Sequence, residues 1–247
     1  MTNKNLIIIQ ARLSSSRLPN KALFKLGNTS VIERMVSIAN ASKYGECIIA
    51  TSNNKSDDLL VNLLENKNIN YYRGDLNNVF RRFKKLIYSN NLDSGYFIRL
   101  TADCPLLDYK LINHCVEQHK KNNNIYTRTD HNKSLPLGQS VEVVDVEAFM
   151  NINENELNDY DKEHVTPYFY KNKKFKTESI NNFLIDQSIS KNIRITLDEI
   201  DDYKLISKVN EKLNFSDRNL PDLKKIIELY KNDSELFKLN INVKQVS

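Results

Sequence analysis

The sequence is poor in the residues that build disulfide-stapled folds and glycine-rich phosphate loops. Its 247 residues include five glycines, five prolines and three cysteines. The cysteines (Cys47, Cys104 and Cys115) have no paired spacing, which argues against a disulfide framework and a structural zinc site, and a reduced, cytoplasmic setting is expected. The basic loop after the first predicted strand contains no glycine, so it matches neither a Walker loop nor a dinucleotide fingerprint.

Long hydrophobic runs are also absent. No apolar stretch approaches the roughly 18 to 20 residues that span a bilayer, and residues 6–9 are too short for the core of a signal peptide, so no membrane partner is expected. The net charge of +5 invites a nucleic-acid interpretation. However, no tract interleaves basic and aromatic residues, and the modest surplus equally suits a small polyanionic substrate. No nucleic-acid partner is expected.

Short buried strands and amphipathic helices alternate through the first half of the chain. The predicted strands cover residues 6–9, 47–51, 71–72, 96–100 and 125–127. Helices lie between them, and the one that starts after Ser30 carries a capping box completed by Glu33. The alternation predicts an α/β fold with a mostly parallel, twisted sheet and helices on both faces.

The alternation breaks after residue 128, although no clean domain boundary appears. The elements predicted there are a strand at 140–144, a polar loop at 151–162, a short helix at 163–170, a strand at 175–181, a buried strand at 193–197, and helices at 199–213 and 219–231. We therefore expect a single domain over 1–247. Within it, residues 130–180 are expected to form a smaller lobe, a lid or a dimer contact.

The loop after the first strand carries the clearest chemical signal. Residues 6–9 read as a buried strand, and Arg12, Arg17 and Lys21 follow, with serines at 14–16 between them. A buried strand that opens into cations and hydroxyls at its carboxyl end is typical of an anion site in an α/β protein, most often a phosphate site. A solvated basic surface loop is the alternative interpretation.

Two aspartates could supply a metal to such a loop. Asp103 follows the strand at 96–100, and Asp198 follows the one predicted at 193–197. Carboxylates at adjacent strand ends can share one Mg²⁺, an ion that keeps several waters and commonly bridges to substrate phosphates. Either aspartate alone would more often be a helix N-cap, so the prediction depends on the pair.

Other polar residues allow more than one interpretation. Arg73 could point toward the pocket, whereas Arg82 lies on a helix whose cations normally face solvent. Glu142, a lone acid in an apolar strand, faces either the site or the solvent. His164 has no second histidine nearby, which argues against metal ligation. Cys104 has no histidine close in sequence, which argues against a catalytic thiol.

Seven ordered motifs between about residues 6 and 210 resemble the SpsF-type spore-coat polysaccharide cytidylyltransferases, relatives of CMP-sialic acid and CMP-Kdo synthetases. The motifs are Ile8-Ile9-Gln10-Ala11-Arg12, Ser16-Arg17-Leu18-Pro19-x-Lys21, Arg73-Gly74, Arg99-x-Thr101-x-Asp103-Cys104-Pro105-Leu106, Val141-Glu142-Val143, Glu163-His164-Val165-Thr166-Pro167-Tyr168 and Thr196-Leu197-Asp198. The resemblance implies a nucleotide-diphosphosugar-transferase-like fold, a homodimer, and Mg²⁺-dependent transfer of CMP from CTP to a sugar acid or phosphorylated small acceptor, with release of pyrophosphate, for surface polysaccharide biosynthesis.

The resemblance also implies roles for individual residues. The implied nucleotide contacts are Gln10, Ala11, Arg12, Ser15, Ser16, Arg17, Lys21, Arg73 and Thr101. The implied acceptor contacts are Arg82, Glu142, Glu163 and His164. The implied catalytic residues are Arg12, Arg17, Lys21, Asp103 and Asp198, the two aspartates being the Mg²⁺ ligands. Two positions depart from the family pattern, since Asn78 replaces a usual aspartate and Ala102 a common glycine.

Two other functions are alternatives to a cytidylyltransferase. A metal-dependent glycosyltransferase would use a similar fold, but it would carry a second acid close to Asp103, and Asp103-Cys104-Pro105 lacks it. A non-catalytic nucleotide-binding protein would not need both aspartates beside Arg17 and Lys21. For a cytidylyltransferase, a nonulosonic acid acceptor would give a CMP-sugar, and a sugar or polyol phosphate would give a CDP-linked product.

Overall fold

The computed structural model describes residues 5–129, 135–180 and 187–245. The strands in these ranges are β1 (Leu6–Gln10), β2 (Lys25–Leu26), β3 (Thr29–Ser30), β4 (Glu46–Ser52), β5 (Tyr71–Gly74), β6 (Tyr96–Thr101), β7 (Tyr126–Thr129), β8 (Glu142–Asp145) and β9 (Thr177–Ile180). The helices are α1 (Val31–Asn40), α2 (Asp58–Asn66), α3 (Val79–Ser89), α4 (Tyr109–Asn122), α5 (Val146–Met150), α6 (Asp159–His164), α7 (Pro167–Lys171), α8 (Gln187–Ser190), α9 (Ile200–Lys212) and α10 (Leu223–Asn232). In these ranges, no helix is both long enough and apolar enough to cross a bilayer.

Seven of the strands form one sheet in the order β5-β4-β1-β6-β8-β7-β9. The pairs among β5, β4, β1 and β6 are parallel, as is the pair β7–β9, whereas β8 runs antiparallel to both of its neighbours. The prediction of a mostly parallel sheet is therefore confirmed. Because six of the seven strands run the same way, their carboxyl ends meet at one edge, where α/β folds bind ligands.

The apolar run of β1 reflects burial on both faces of the sheet. Ile7 and Ile9 pack in a core shared with α1, α2 and α4, and Leu6 and Ile8 pack in a second core shared with α3, α5 and α7. A central parallel strand is covered on both sides, so it reads as continuously apolar.

The sequence signals for helix ends predict the start of α1 correctly but the ends of α6 and α7 only in part. The side chain of Ser30 accepts from Glu33 N (3.3 Å), and Glu33 Oε2 accepts from Ser30 N (2.7 Å), which completes the predicted capping box. The single helix predicted at 163–170 is wrong, because α6 ends at His164 and Val165 has a φ of +72°. Pro167 then begins α7 as its first residue, a position that tolerates proline.

The prediction of a sheet strand at 193–197 is also wrong, although the apolar residues of the segment are buried as predicted. The segment lies outside the seven-stranded sheet and forms one isolated bridge, between Leu137 and Arg194. Its apolar residues are buried in a third core with α9 and α10, so their alternation reflects burial and not strand pairing. The close approach of the two segments joined by this bridge requires a glycine at position 138. Gly138 has a φ of +107°, and a Cβ there would lie 2.5 Å from the carbonyl carbon of Ile195.

Residues 130–180 contribute β8 and β9 to the main sheet and α5, α6 and α7 to its helical cover. The polar stretch predicted as a loop at 151–162 contains the start of α6, capped by Asn158, whose side chain accepts from Asp161 N (2.8 Å). Residues 130–134 lie outside the described ranges. A dimer contact in this region stays a prediction.

Candidate active site

A cleft of about 540 Å³ lies at the carboxyl edge of the sheet, beside the ends of β1 and β6. The residues that line it come from four separate stretches of the chain. They are Gln10, Ala11, Arg12, Ser15, Ser16, Arg17, Lys21, Ala22, Arg99, Thr101, Ala102, Asp103, Glu163, His164 and Asp198. The structure thus brings together every predicted nucleotide residue except Arg73, both predicted metal ligands, and Glu163 and His164 from the predicted acceptor side.

The loop after β1 is shaped without glycine. Leu13 N donates to Oδ1 of Asp57, a fully buried carboxylate (2.7 Å), and Leu13 O accepts from Asn20 N (2.9 Å). Asn20 has a φ of +61°, a conformation that asparagine tolerates better than most residues. It leads into a short 3₁₀ turn at Lys21–Leu23. A buried acid and a left-handed asparagine therefore hold the shape that glycines provide in other phosphate loops.

Lys21 lies between the two predicted metal ligands. Its Nζ is 3.0 Å from Asp198 Oδ1 and 3.5 Å from Asp103 Oδ2. Arg17 Nη2 lies 3.2 Å from the same Asp198 oxygen. Cations of the loop and carboxylates from two distant segments therefore face one another across the cleft.

The pKa shifts of Lys21 and Asp103 keep both groups charged. Burial disfavours the Lys21 ammonium, but attraction to Asp103 and Asp198 outweighs it and raises the pKa of Lys21. Burial also disfavours the Asp103 carboxylate, yet Lys21 and the Thr101 hydroxyl outweigh it and lower the pKa of Asp103. Burial and the Asp103 charge raise the pKa of Cys104 well above its usual value, so its sulfur is a neutral thiol. This agrees with the argument against a catalytic cysteine.

Asp198 and Asp103 lie at the same cleft, but the structural reason differs from the predicted one. The prediction placed the two aspartates at the ends of neighbouring strands, but only Asp103 follows a strand of the sheet, β6. The carbonyl oxygen of Asp103 accepts from Leu197 N (2.7 Å) and from Thr196 Oγ1 (3.3 Å). These two hydrogen bonds dock the segment that carries Asp198. Lys21 Nζ donates to Leu197 O (2.7 Å) from the other side.

The donor set of the two aspartates fits a divalent cation. Two carboxylates that share one ammonium already hold positive charge between them, and Mg²⁺ prefers such oxygen ligands. Among the described residues, no cluster of three or more histidine, cysteine, aspartate or glutamate side chains could hold a metal. The remaining ligands would come from water and from substrate phosphates, which is usual for Mg²⁺.

Behind the cleft, Glu142 and Arg99 form a buried ion pair across β6 and β8, with side chains 14% and 11% exposed. Glu142 Oε1 also accepts from the Tyr126 hydroxyl (2.8 Å) and the Thr166 hydroxyl (2.8 Å). Burial works against the Glu142 carboxylate, but Arg99 and the two hydroxyls outweigh it and lower the pKa of Glu142. Arg99 extends this network to the cleft by donating to Gln10 Oε1 (2.9 Å). Glu142, predicted as an acceptor contact, is not among the lining residues.

Arg12 and α6 meet across the open side of the cleft. Arg12 Nη2 lies 3.0 Å from Glu163 Oε1, and both side chains are partly exposed. The ring of His164 packs at 4.2 Å from the Tyr160 ring. Burial lowers the pKa of His164, and the charges of Arg99 and Arg12 act in the same direction, so the imidazole is neutral at pH 7.

Two predicted arginines lie outside the cleft. Arg73 donates to the carbonyls of Ser52 and Asn54 and pairs with Asp58 (2.8 Å) in a separate hollow. Arg73 therefore does not line the cleft, and its nucleotide contact stays a prediction.

Arg82 is 1% exposed, so the prediction that it faces solvent is wrong. It does not line the cleft, and its acceptor contact stays a prediction. It donates to the carbonyls of Asp75 and Ala50 (2.9 and 3.3 Å), and burial lowers its pKa to about 10. Because Ala50 O also accepts from Ala11 N (3.1 Å), Arg82 supports the cleft from beneath.

The sequence interpretation missed two residues of this region, Arg99 and Arg194, as site residues. Arg99 lines the cleft, and its position two residues before Thr101 on one strand face could have revealed it. Arg194 pairs with Asp198 (3.1 Å) and with Asp202 (2.9 Å), a fully buried carboxylate. A charged residue inside the apolar run 193–197 was the signal for Arg194.

Comparisons with known proteins show the family to which the chain belongs. The family model described as cytidylyltransferase matches residues 6–238. The spore coat polysaccharide biosynthesis protein SpsF of Bacillus subtilis is 30% identical over 220 residues, covering 85% of this chain and 88% of that protein. A cytidylyltransferase structure from Leptospira borgpetersenii serovar Hardjo-bovis has a TM-score of 0.85 at 23% identity, over 100% of both chains. CMP:2-keto-3-deoxy-manno-octonic acid synthetase, solved with CTP, has a TM-score of 0.63 at 11% identity over 85% of this chain and 99% of that one. The chain belongs to the cytidylyltransferase family and is a nucleotidyltransferase.

Proposed function

We propose that the protein transfers CMP from CTP to a sugar acid or a phosphorylated small acceptor and releases pyrophosphate, supplying a precursor of a surface polysaccharide. The carrying observation is the convergence of Arg17 and Lys21 on Asp103 and Asp198 in one cleft. Membership of the cytidylyltransferase family supports CTP as the donor, as does the fold shared with a synthetase solved with CTP.

In this proposal the loop after β1 binds the nucleotide. Gln10, the last residue of β1, and Ala11, which follows it, line the cleft and lie along the cytidine. The triphosphate lies against the loop residues Arg12, Ser15, Ser16, Arg17 and Lys21. Fixed cations and hydroxyls in a partly water-excluded cleft stabilise phosphate charge more strongly than they would in water.

The chemical step is an in-line substitution at the α-phosphorus. An acceptor oxygen forms the new bond to phosphorus, the bond from phosphorus to the bridging β-phosphate oxygen breaks, and pyrophosphate leaves with that electron pair. Arg17 and Lys21 balance the charge that develops on the leaving group. Mg²⁺, bound by Asp103 and Asp198, would supply further charge stabilisation there. A phosphate acceptor needs no general base.

The acceptor side of the cleft is formed by Glu163 and His164, with Glu142 behind them. The neutral imidazole of His164 can accept a hydrogen bond from an acceptor hydroxyl. Glu142 is satisfied by its own partners and does not line the cleft, whereas Arg99 lines the cleft and orients Gln10.

A pyrophosphate-release assay tests the proposal. The protein would be incubated with Mg²⁺, one of CTP, ATP, GTP or UTP, and a panel of sugar acids and phosphorylated sugars or polyols. We expect release with CTP and with acceptors of one class, and mass spectrometry would identify a CMP-linked or CDP-linked product. Transfer from a nucleotide-sugar, with no release from any nucleoside triphosphate, would replace the proposal with a glycosyltransferase.

A further inference from the structure

We infer that Arg194, Asp202 and Asn240 form a clamp that orients Asp198, so that one carboxylate oxygen of Asp198 faces the cleft and the other faces the clamp. The three residues are positioning residues, and none of them lines the cleft. The inference rests on the proposed function, because it assigns the clamp to the carboxylate that would bind Mg²⁺.

Asp202 is the centre of the clamp. Its side chain is fully buried, and its Oδ2 accepts from the backbone N–H groups of Asp198 and Glu199, each at 3.0 Å. Its Oδ1 accepts from Arg194 Nε (2.9 Å) and from Asn240 Nδ2 (2.7 Å). A buried carboxylate with hydrogen bonds from four residues is fully satisfied, so it fixes the backbone of the turn that carries Asp198.

Arg194 divides the two oxygens of Asp198 between different partners. Its Nη2 lies 3.1 Å from Asp198 Oδ2 and 3.1 Å from Asp202 Oδ2, so one planar guanidinium bridges both acids. Oδ1 of Asp198 faces Lys21 (3.0 Å) and Arg17 (3.2 Å) on the cleft side. Asp198 therefore offers one oxygen to a ligand, and Arg194 decides which one.

Asn240 ties the C-terminal segment to this arrangement. Its side-chain nitrogen Nδ2 donates to the carbonyl of Arg194 (3.0 Å) as well as to Asp202, and the side chain is buried. Leu236 and Phe237 anchor the same segment in the third core, against α9 and α10. The segment at 234–240 thus supports the side of the cleft where the metal would bind.

The clamp can be separated from simple structural support. Residues that orient a metal ligand typically change metal affinity or activity by about 10- to 100-fold when they are replaced. Arg194→Lys keeps a positive charge beside buried Asp202, but an ammonium cannot reproduce the planar fork that bridges two carboxylates. It should therefore preserve the fold and lose the orientation of Asp198.

The experiment compares wild type, Arg194→Lys, Asn240→Ala and the control Glu235→Gln, which alters an exposed ion pair on the same C-terminal segment. Three quantities are measured: the Mg²⁺ concentration for half-maximal pyrophosphate release, the affinity for Mn²⁺ by calorimetry with CTP but no acceptor, and the thermal unfolding midpoint. For Arg194→Lys we expect both metal constants to weaken by about 10-fold or more, with the midpoint within about 4 °C of wild type. Asn240→Ala should shift the metal constants in the same direction, and Glu235→Gln should change none of the three.

Wild-type metal constants in a folded Arg194→Lys protein would overturn the clamp. If Arg194→Lys fails to fold, Asn240→Ala decides, and its wild-type metal constants would overturn the clamp as well. If the wild-type protein releases no pyrophosphate but Arg194→Lys still weakens Mn²⁺ binding, the proposed function is contradicted and the clamp is supported. If the wild-type protein releases pyrophosphate and the variants keep wild-type metal constants, the proposed function is supported and the clamp is contradicted.

Discussion

The two ends of the cleft use charge in different ways. At the end formed by Arg17, Lys21, Asp103 and Asp198, here called the phosphate end, cations from one loop meet carboxylates from two remote segments. At the end behind Glu163 and His164, the Arg99–Glu142 pair is held between adjacent strands and is saturated by its own hydroxyl partners.

This difference shows which charges are available to a ligand. The side chains of Arg17 and Asp103 are 32% and 28% exposed, so these two charges stay partly hydrated and can exchange a protein partner for a ligand at little cost. A buried pair cannot, because separating it leaves an uncompensated charge in the protein interior. We therefore expect the phosphate end to govern turnover and the Arg99–Glu142 pair to govern stability. Five measurements test this comparison.

The largest effect is expected at the phosphate end. Asp103→Asn keeps the shape of the side chain but removes the charge of a proposed metal ligand, and the rate of pyrophosphate release should fall about 10³-fold. Circular dichroism should show a folded protein. Asp93→Asn, at an exposed position, is the control and should keep wild-type turnover. An Asp103→Asn protein with full activity would remove Asp103 from the proposed metal site.

Breaking the buried pair should act on stability. Glu142→Ala leaves Arg99 without its carboxylate and should lower the free energy of unfolding by about 3 kcal/mol. Urea unfolding measures this. The double variant Arg99→Met/Glu142→Met removes both charges and should be more stable than Glu142→Ala. If the single variant matches wild type in stability, the pair does not hold this side of the cleft.

The same pair predicts a dependence of stability on pH. The pKa of Glu142 lies below its usual value of 4.5 in the folded protein, so the protonated form favours unfolding. The stabilisation is complete above about pH 4.5 and is lost as the pH falls through the lowered pKa. Urea unfolding from pH 7 to pH 3 should show a steeper loss for wild type than for Glu142→Gln. Parallel curves would contradict this assignment.

The exposed pair between Arg12 and Glu163 should contribute little to stability. Both side chains are well hydrated, with 36% and 48% exposed, so Glu163→Gln should change the free energy of unfolding by less than about 1 kcal/mol. The difference should vanish in 1 M salt, where charges are screened over about 3 Å. A change as large as that of Glu142→Ala would erase the distinction between the two kinds of pair.

The smallest effect is expected from Arg73, which the sequence placed at the nucleotide and the structure places elsewhere. Arg73→Met should leave pyrophosphate release within about twofold of wild type, because a partly exposed charge outside the cleft is screened. Arg17→Met, from the cleft itself, is the matched comparison and should lose about 100-fold. A large loss in Arg73→Met would restore the predicted contact.

The sequence predicted the fold class and the family, and the comparisons confirm both. Those predictions rested on patterns that local chemistry controls. A buried parallel strand must be apolar on both faces, as β1 is, and the free N–H groups at the start of α1 need Ser30 and Glu33. The segment 193–197 misled the same reasoning, because an extended apolar segment and a sheet strand have the same pattern.

The sequence alone therefore determined the alternation of strands and helices, the basic loop after β1 and the aspartate that follows β6. Tertiary structure decided how those groups meet. Only the folded chain docks Leu197 on the carbonyl of Asp103 and turns Arg82 into the interior. The physical reason is that local propensity sets the backbone of each element. The direction of a long polar side chain depends on partners in other elements, such as Ala50, 32 residues before Arg82, and no local pattern records them.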